Sequence, residues 1–332
     1  MTVWIDPQMQ AILTRLRASP AIDFRAMPIA QARQAADAAS LPWSAGAPAI
    51  ASRELTIPAP GHSMRARLYL PEHLSRSEQP SSMILYIHGG GWTFGSIDTH
   101  DGTMRHLAVE AGTAVLGIDY RLAPEHPFPA PLDDVIAALG YLERGGLGQP
   151  VTAENIAIAG DSAGANLALA ALLRRRDQGM ATLAAGSLFY GCYAADFETR
   201  SHAAFGGGDF LLTTANMRWY WSNFLGGELQ SKDSLAVPLG ANLAGLPPVY
   251  LSAAGLDPLR DDTVRLAQHL ANASVPFRFD HIPGVVHGCL RMARELDAAR
   301  AMLAAGGEYI ARCLKNKKSG GRQTWNAGHS SS

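Results

Sequence analysis

Long apolar runs are missing from this chain. The longest, such as residues 167–173, fall far short of the roughly 20 residues that a membrane-crossing helix needs, so no membrane partner is expected. Cysteine is scarce. Cys192, Cys289 and Cys313 are the only three, and an odd, widely spaced set excludes a disulfide framework and fits a reducing compartment. Charge of either sign is sparse and balanced. Lys and Arg total 28 against 29 for Asp and Glu, a formal net charge of -1, which gives no general field for a polyanion, and no nucleic-acid partner is expected. There is no H-E-x-x-H, no Cys/His set at zinc spacing and no G-x-x-x-x-G-K-[ST], so neither a metal nor an organic cofactor is expected. The opening MTVWIDPQMQAILTRL has no basic residue before Arg15 and no long apolar stretch. That argues against a secretory leader and makes a cytoplasmic location the expectation.

What is present is enough apolar material for a large core: 47% of 332 residues. Surface scaling for this size gives roughly 13,000 Å² folded against about 51,000 Å² unfolded, so about three quarters of the surface should be buried without covalent staples. Ile5, Met9, Ile12, Leu13 and Leu16 recur at helical spacing, and residues 30–39 form a second short helical stretch. Both precede any strand and need another surface to bury their stripes, so residues 1–50 are predicted to be cap helices.

From residue 51 strands and helices alternate. Strands are predicted over 53–57 and 64–70, joined at Pro60-Gly61, and over 83–87, 113–118, 156–159, 185–190, 249–253 and 277–282. Helices are predicted from Asp98, as N-cap, to Ala111, then over 130–142, 163–176 and 260–273, and from about Met292 to Cys313. This rhythm predicts one α/β domain over 51–314, with a mostly parallel central sheet flanked by helices. The stretch 192–246 breaks the rhythm and is rich in aromatics, so it is read as a helical cap insertion. The polar tail 315–332 is expected to be disordered.

Chemistry concentrates at strand ends. Gly160-Asp161-Ser162-Ala163-Gly164 fits G-x-S-x-G, between a short strand and an Ala/Leu-rich helix. A sharp strand-to-helix turn there would lift the Ser162 hydroxyl out of the chain, and small neighbours permit the strained geometry. His88-Gly89-Gly90-Gly91-Trp92 ends another strand, and its glycines leave backbone amides uncovered to bind an oxyanion. A serine nucleophile needs a base and an orienting acid. In the α/β-hydrolase order Ser, acid, His, they are Asp257 and His287, each in a loop just beyond a strand. Asp261 and Asp262 are rival acids but fall inside the following helix, where charges at its N-terminus are the plainer reading. His281 is a rival base but falls within a strand.

HGGGW, GIDYRLAPEHPFPAPLDD, AGDSAGANLALA, DPLRDD and the final HG together resemble the hormone-sensitive-lipase-like bacterial esterases, from about Trp4 to Arg312. The stretches GSIDTHDGTMRHLA, YGCYAADFETRSHAAFGGG and AGLDPLRDDT are similar to its acetyl-esterase branch. The resemblance implies an α/β-hydrolase fold with a helical cap and a serine carboxylesterase acting on short acyl esters, acetyl esters among them. It implies Ser162 as nucleophile, Asp257 as acid, His287 as base, and the amides of Gly89, Gly90 and Ala163 as the oxyanion hole, with His88 supporting the glycine loop. An amidase or lactone hydrolase could use the same three residues, and a binding module on a hydrolase scaffold is the reading from another class. The expected partner is a small-molecule ester, and the chain is expected to be a monomer or a homodimer through the edge at 277–282. Two departures stand out: Ala165 where many members have a second glycine, and Cys289 where an aromatic residue is common. Trp92, Phe94, Tyr190, Phe210, Trp219, Tyr220 and Cys289 are candidate walls of the substrate pocket, with core packing as the alternative for each and a small buried hydrophobe as the plain reading of Cys289.

Overall fold

Side chains alternate across a strand, so a strand buried on both faces must be apolar throughout. Met83–Ile87 is such a strand: Met83, Leu85 and Ile87 join one core cluster, and Ile84 and Tyr86 join the other. Ile156 and Ile158 likewise face one layer, and Ala157 and Ala159 face the opposite one. In this computed structural model, which describes residues 3–18, 22–74 and 80–318, these strands lie inside an eight-stranded sheet.

Two helices come first, α1 (Pro7–Arg17) and α2 (Ile29–Ser40). The strands are β1 (Ala51–Ala59), β2 (His62–Leu70), β3 (Met83–Ile87), β4 (Ala114–Ile118), β5 (Ile156–Asp161), β6 (Gly186–Phe189), β7 (Val249–Leu256) and β8 (Phe277–Val286). Between and after them run α3 (Asp101–Ala111), α4 (Ala130–Glu143), α5 (Ala163–Asp177), α6 (Arg200–Phe205), α7 (Thr214–Phe224), α8 (Arg260–Asn272) and α9 (Asp297–Lys318). The sheet order is β1-β2-β4-β3-β5-β6-β7-β8. β2 is antiparallel to both its neighbours, and all later pairings are parallel. The β1–β2 turn is Pro60-Gly61, with Gly61 at φ 78°, a conformation that costs glycine little. Helices α4, α5 and α8 cover one face, and α1, α3 and α9 the other. Helix α5 is buried from Ala163 through Leu173, as expected of a helix apolar all round. The inserted α6 and α7 lie between β6 and β7 in sequence.

Three expectations shift. Asp98 does not cap α3, which begins at Asp101 after His100, a residue whose side chain makes no cap bond. The Asp98 carboxylate instead bridges Arg65 and Arg67 of β2, at 2.6 Å from each, because paired guanidinium groups offer stronger charge-assisted bonds than a helix terminus. The last helix starts at Asp297 rather than near Met292, and runs to Lys318, past Cys313 and into the expected tail; the remainder of that tail lies outside the described residues. Among the described residues no helix is long and apolar enough to cross a membrane.

Candidate active site

The turn between β5 and α5 leaves almost no space for side chains. A Cβ on Gly164 would sit 2.0 Å from the Ile87 carbonyl oxygen, and one on Gly160 would sit 2.6 Å from the Gly164 carbonyl carbon. These close backbone approaches hold Ser162 at φ 55° and ψ -120°, a strained conformation for a residue with a side chain. The Ser162 Oγ lies 2.8 Å from His287 Nε2. On the other side of the ring, His287 Nδ1 lies 2.8 Å from Asp257 Oδ2. Asp257 follows β7 and His287 follows β8, so adjacent parallel strands deliver them to the end of the sheet where β5 delivers Ser162. Asp257 is fully buried, and its Oδ1 accepts the Leu259 backbone N–H at 2.8 Å. The structure thus brings together all three residues singled out in the sequence.

The glycine loop differs from expectation at one amide. The Gly89 N–H donates to Asp161 Oδ1 at 2.9 Å, so it is not free to bind an oxyanion. Among the described residues, the N–H groups of Gly90, Gly91 and Ala163 have no such partner. The free donors of the loop are therefore one residue further along than the Gly89–Gly90 pair. Glycine is required there for space as well as conformation. Gly90 and Gly91 lie at φ 121° and 60°, and a Cβ would meet the Phe94 carbonyl at 2.2 Å in the first case and the Tyr220 ring at 2.4 Å in the second. His88 supports this loop from below. Its ring stacks on Tyr120 with centroids 4.4 Å apart, and the Tyr120 hydroxyl donates to the His88 carbonyl at 3.0 Å. Burial, with His100 nearby, pulls the His88 imidazole down to about 3, which leaves it neutral.

The rivals sit elsewhere. His281 lies on β8 with its side chain exposed. Asp261 accepts the Ser201 backbone N–H at 2.9 Å, at the start of α6. Asp262 is more than a charge at a helix start. It is buried and its Oδ2 accepts the N–H groups of Tyr193 and Ala194 at 2.7 and 3.1 Å, anchoring the chain where it leaves the sheet for the insertion. Burial pushes its carboxyl up to about 7 despite those bonds.

The candidate pocket walls divide into two groups. Trp92 has no exposed surface and is stacked on Phe224 at 4.2 Å and beside Trp221 at 4.6 Å. It joins the glycine loop to α7 rather than lining an open pocket. Cys289 is likewise sealed, with its Sγ 3.7 Å from Met302 Sδ and its thiol pushed up by burial. Tyr190 is buried edge-on to the His287 ring at 4.9 Å. Phe94 is nearly buried, and Phe210, Trp219 and Tyr220 are partly exposed. Phe94, Trp219 and Tyr220 form one aromatic group, with centroids 5.3 to 5.9 Å apart. Phe210 packs separately on Phe205. Helix α2 is strapped to the same region, since Arg33 donates to the carbonyls of Thr93 and Ala123 and pairs with Glu125. A separate polar cleft of about 640 Å³ is lined by Asp37, Glu54, Arg67, Asp98, Asp101 and Arg105, and no residue of the Ser162 site borders it. No cluster of three or more potential metal ligands occurs among the described residues. Asp161 is the site residue that sequence reasoning passed over. Its position inside G-x-S-x-G was visible, but not its reach to the glycine loop.

This chain is similar to known proteins over most of its length. A family profile described as the alpha/beta hydrolase fold matches residues 84–291. The esterase LipI of Mycobacterium tuberculosis is 38% identical over 74% of this chain and 77% of its own. The acetyl esterase of Salmonella schwarzengrund is 32% identical over 83% and 84%. Among solved structures, an alpha/beta hydrolase from the metagenome of Lake Arreo superposes with a TM-score of 0.87 at 31% identity, covering 94% of this chain and 99% of its own. The esterase of the archaeon Pyrobaculum calidifontis gives 0.86 at 31% identity, covering 95% and 99%. With this fold, these coverages and these identities, the chain belongs to the hormone-sensitive-lipase-like family of the alpha/beta hydrolases.

Proposed function

We propose that this carboxylic ester hydrolase cleaves short-chain acyl esters, acetyl esters among them, through an acyl-enzyme on Ser162. The observation that carries the reading is the unbroken hydrogen-bonded chain Asp257–His287–Ser162, ending beside unpartnered amides of the glycine loop and the α5 N-terminus. In this scheme the Ser162 Oγ attacks the ester carbonyl while His287 Nε2 takes its proton. Asp257 Oδ2 holds the His287 Nδ1–H, which fixes the tautomer that leaves Nε2 free to accept, and it stabilises the imidazolium that follows. The N–H groups of Gly90, Gly91 and Ala163 receive the negative charge that develops on the carbonyl oxygen, aided by the positive end of α5. The protonated His287 then gives its proton to the departing alcohol. In the second half, His287 draws a proton from water, water attacks the acyl carbon, and Ser162 leaves as its alcohol. The Tyr220 ring lies against Gly91, with Phe94 and Trp219 packed beside it, and this aromatic bulk next to the glycine loop supports a preference for small acyl groups.

A panel of p-nitrophenyl esters from acetate to dodecanoate, run beside matching anilides and lactones, tests this. The expected result is the highest kcat/KM on the shortest esters. Faster turnover of amides or lactones than of esters would move the enzyme to another hydrolase class. No turnover, together with no fluorophosphonate adduct at Ser162, would make it a binding module.

A further inference from the structure

Arg291 is a cation that the scheme above leaves without a part. It stands on the short turn Cys289–Met292, just past His287, and is half-buried. Its Nη1 donates to Ser40 Oγ, at the end of α2, at 2.8 Å. Its other terminal nitrogen lies beside the histidine loop: a Cβ on Gly288, the residue after His287, would be 3.6 Å from Arg291 Nη2. The side chain therefore spans the seam between α2 and that loop. Among the described residues no carboxylate comes within ion-pair distance of it, and its Nε–Nη2 edge makes no hydrogen bond. Arg33 on α2, Arg218 on α7 and Arg265 on α8 differ, since they hold the carboxylates of Glu125, Glu198 and Asp196. Asp161, on which the Arg291 charge acts from a distance, has its own donors in the Gly89 N–H and the Tyr86 hydroxyl. The same charge is felt at two edges of the site. Burial pushes the Tyr220 hydroxyl up to about 12 against the pull of Arg291, and Tyr190 is raised by burial against the same pull. Tyr220 lies against Gly91, and Tyr190 lies edge-on to His287.

From this placement we infer that Arg291 is a specificity-determining residue, forming a subsite for a carboxylate carried by the ester itself. The preferred substrates are anionic esters: half-esters of a short dicarboxylic acid, or acetates of an alcohol that bears a carboxylate. The inference rests on the acyl-transfer reading at Ser162. Its physical basis is an uncompensated charge in a partly desolvated place. A half-buried guanidinium has lost hydration, and its free donors regain a partner when an acceptor arrives. The free Nε–Nη2 edge matches the two oxygens of a carboxylate, which form a pair of charge-assisted bonds with such a fork. Ser40 already holds the other terminal nitrogen, so less side-chain freedom is lost on binding. A carboxylate on Arg291 fixes the ester relative to Ser162, and a bond to a charged partner of this kind contributes about 10- to 100-fold in kcat/KM.

The test uses two matched pairs of esters, each differing in whether a carboxylate or an isopropyl group of similar shape is present. Ethyl hydrogen glutarate beside ethyl isoheptanoate places the charge on the acyl side. Para-acetoxybenzoate beside para-isopropylphenyl acetate places it on the alcohol side. The readout is the ratio of kcat/KM for the anionic ester to that for its neutral partner. It is compared between wild type, Arg291→Met and Arg291→Lys, so that differences of intrinsic reactivity cancel. For Arg291→Met the expected result is a fall of about 10- to 100-fold in that ratio for at least one pair. The pair that responds shows on which side of the ester the carboxylate sits. Arg291→Lys keeps the charge but not the fork, and should hold the ratio within about fivefold of wild type. Raising salt from about 20 to 500 mM should lower the wild-type ratio and leave that of Arg291→Met nearly constant. A purely structural arginine would lower thermal stability without moving either ratio. A folded Arg291→Met variant with both ratios within about threefold of wild type overturns the inference. Should that variant fail to fold, the wild-type salt dependence decides: a ratio that falls supports the subsite, and one that stays constant overturns it. A wild type that turns over none of these esters, nor p-nitrophenyl acetate, would sink the acyl-transfer reading instead, so the two failures are distinct.

Discussion

Replacing Asp257 with asparagine isolates one hydrogen bond with little change of shape. The carboxylate serves two donors at once: the Leu259 N–H at Oδ1 and the His287 Nδ1–H at Oδ2, each at 2.8 Å. Asparagine offers one acceptor and one donor end. With its oxygen kept on the buried Leu259 N–H, its NH₂ faces Nδ1, and the imidazole must carry its proton on Nε2. Nε2 then cannot accept the Ser162 proton. With the amide flipped, two buried N–H groups oppose each other, at a cost of about 1–3 kcal/mol. Either way the reactive tautomer is disfavoured, and a loss of about 10⁴ in kcat is expected at neutral pH, equivalent to about 5 kcal/mol of transition-state stabilisation. The assay is kcat/KM on p-nitrophenyl acetate, with circular dichroism and thermal melting to establish that the variant is folded. Asp261→Ala and His281→Ala serve as comparisons, because the Asp261 side chain binds the start of α6 and the His281 side chain is exposed on β8, and both should leave kcat/KM within about threefold. A folded Asp257→Asn enzyme within tenfold of wild type would refute the reasoning, and a crippled Asp261→Ala beside it would move the acid to Asp261.

Two further outcomes follow from the surroundings of the site. Trp92→Ala should destabilise the protein by about 3–5 kcal/mol, read from denaturant midpoints, because it empties a sealed joint between the glycine loop and α7; a small stability change with a broadened acyl-chain preference would return Trp92 to the pocket wall. Asp262 has its carboxyl raised to about 7 in the fold, so between roughly pH 4 and 7 the folded state holds a proton that the unfolded chain releases. Its contribution is full below about pH 4 and is lost as pH rises through 7, by at most about 1.4 kcal/mol per pH unit. Wild type should therefore lose stability relative to Asp262→Asn between pH 5 and 8, and parallel urea midpoints for the two proteins across that range would show that Asp262 does not titrate there.

Much of this molecule could be read from local signals because those signals have short-range causes. β3 and residues 156–159 of β5 are apolar at every position, which only a strand covered on both faces tolerates, and the Gly-x-Ser-x-Gly spacing encodes a turn whose tightness forbids side chains at its edges. Asp257 and His287, each one loop past a strand, lie within hydrogen-bond reach of one another and of Ser162, because parallel strands deliver successive loops to the same end of a sheet. Helix ends were less legible. Asp98 has the side chain of a cap, but two arginines on β2, remote in sequence, compete for it. The aromatic residues were least legible: Trp92 and Trp219 have the same composition cues, yet one is sealed in a joint and the other is partly exposed.

Sequence by itself determined the α/β alternation, the strand-to-helix turn at Ser162 and the placement of Asp257 and His287 just past strands, since each depends on neighbours a few residues away. Tertiary structure alone decided which amides stay free. The three glycines of the loop look equivalent in sequence, and only the approach of Asp161 from another strand occupies the N–H of Gly89 and leaves those of Gly90 and Gly91 unpartnered. It also decided that Asp262 anchors the entry to the insertion and that Tyr220 roofs Gly91. The physical reason is the same in each case. A hydrogen bond or a steric contact is settled by atoms within a few ångströms, and in a folded chain those atoms come from segments that the sequence keeps far apart.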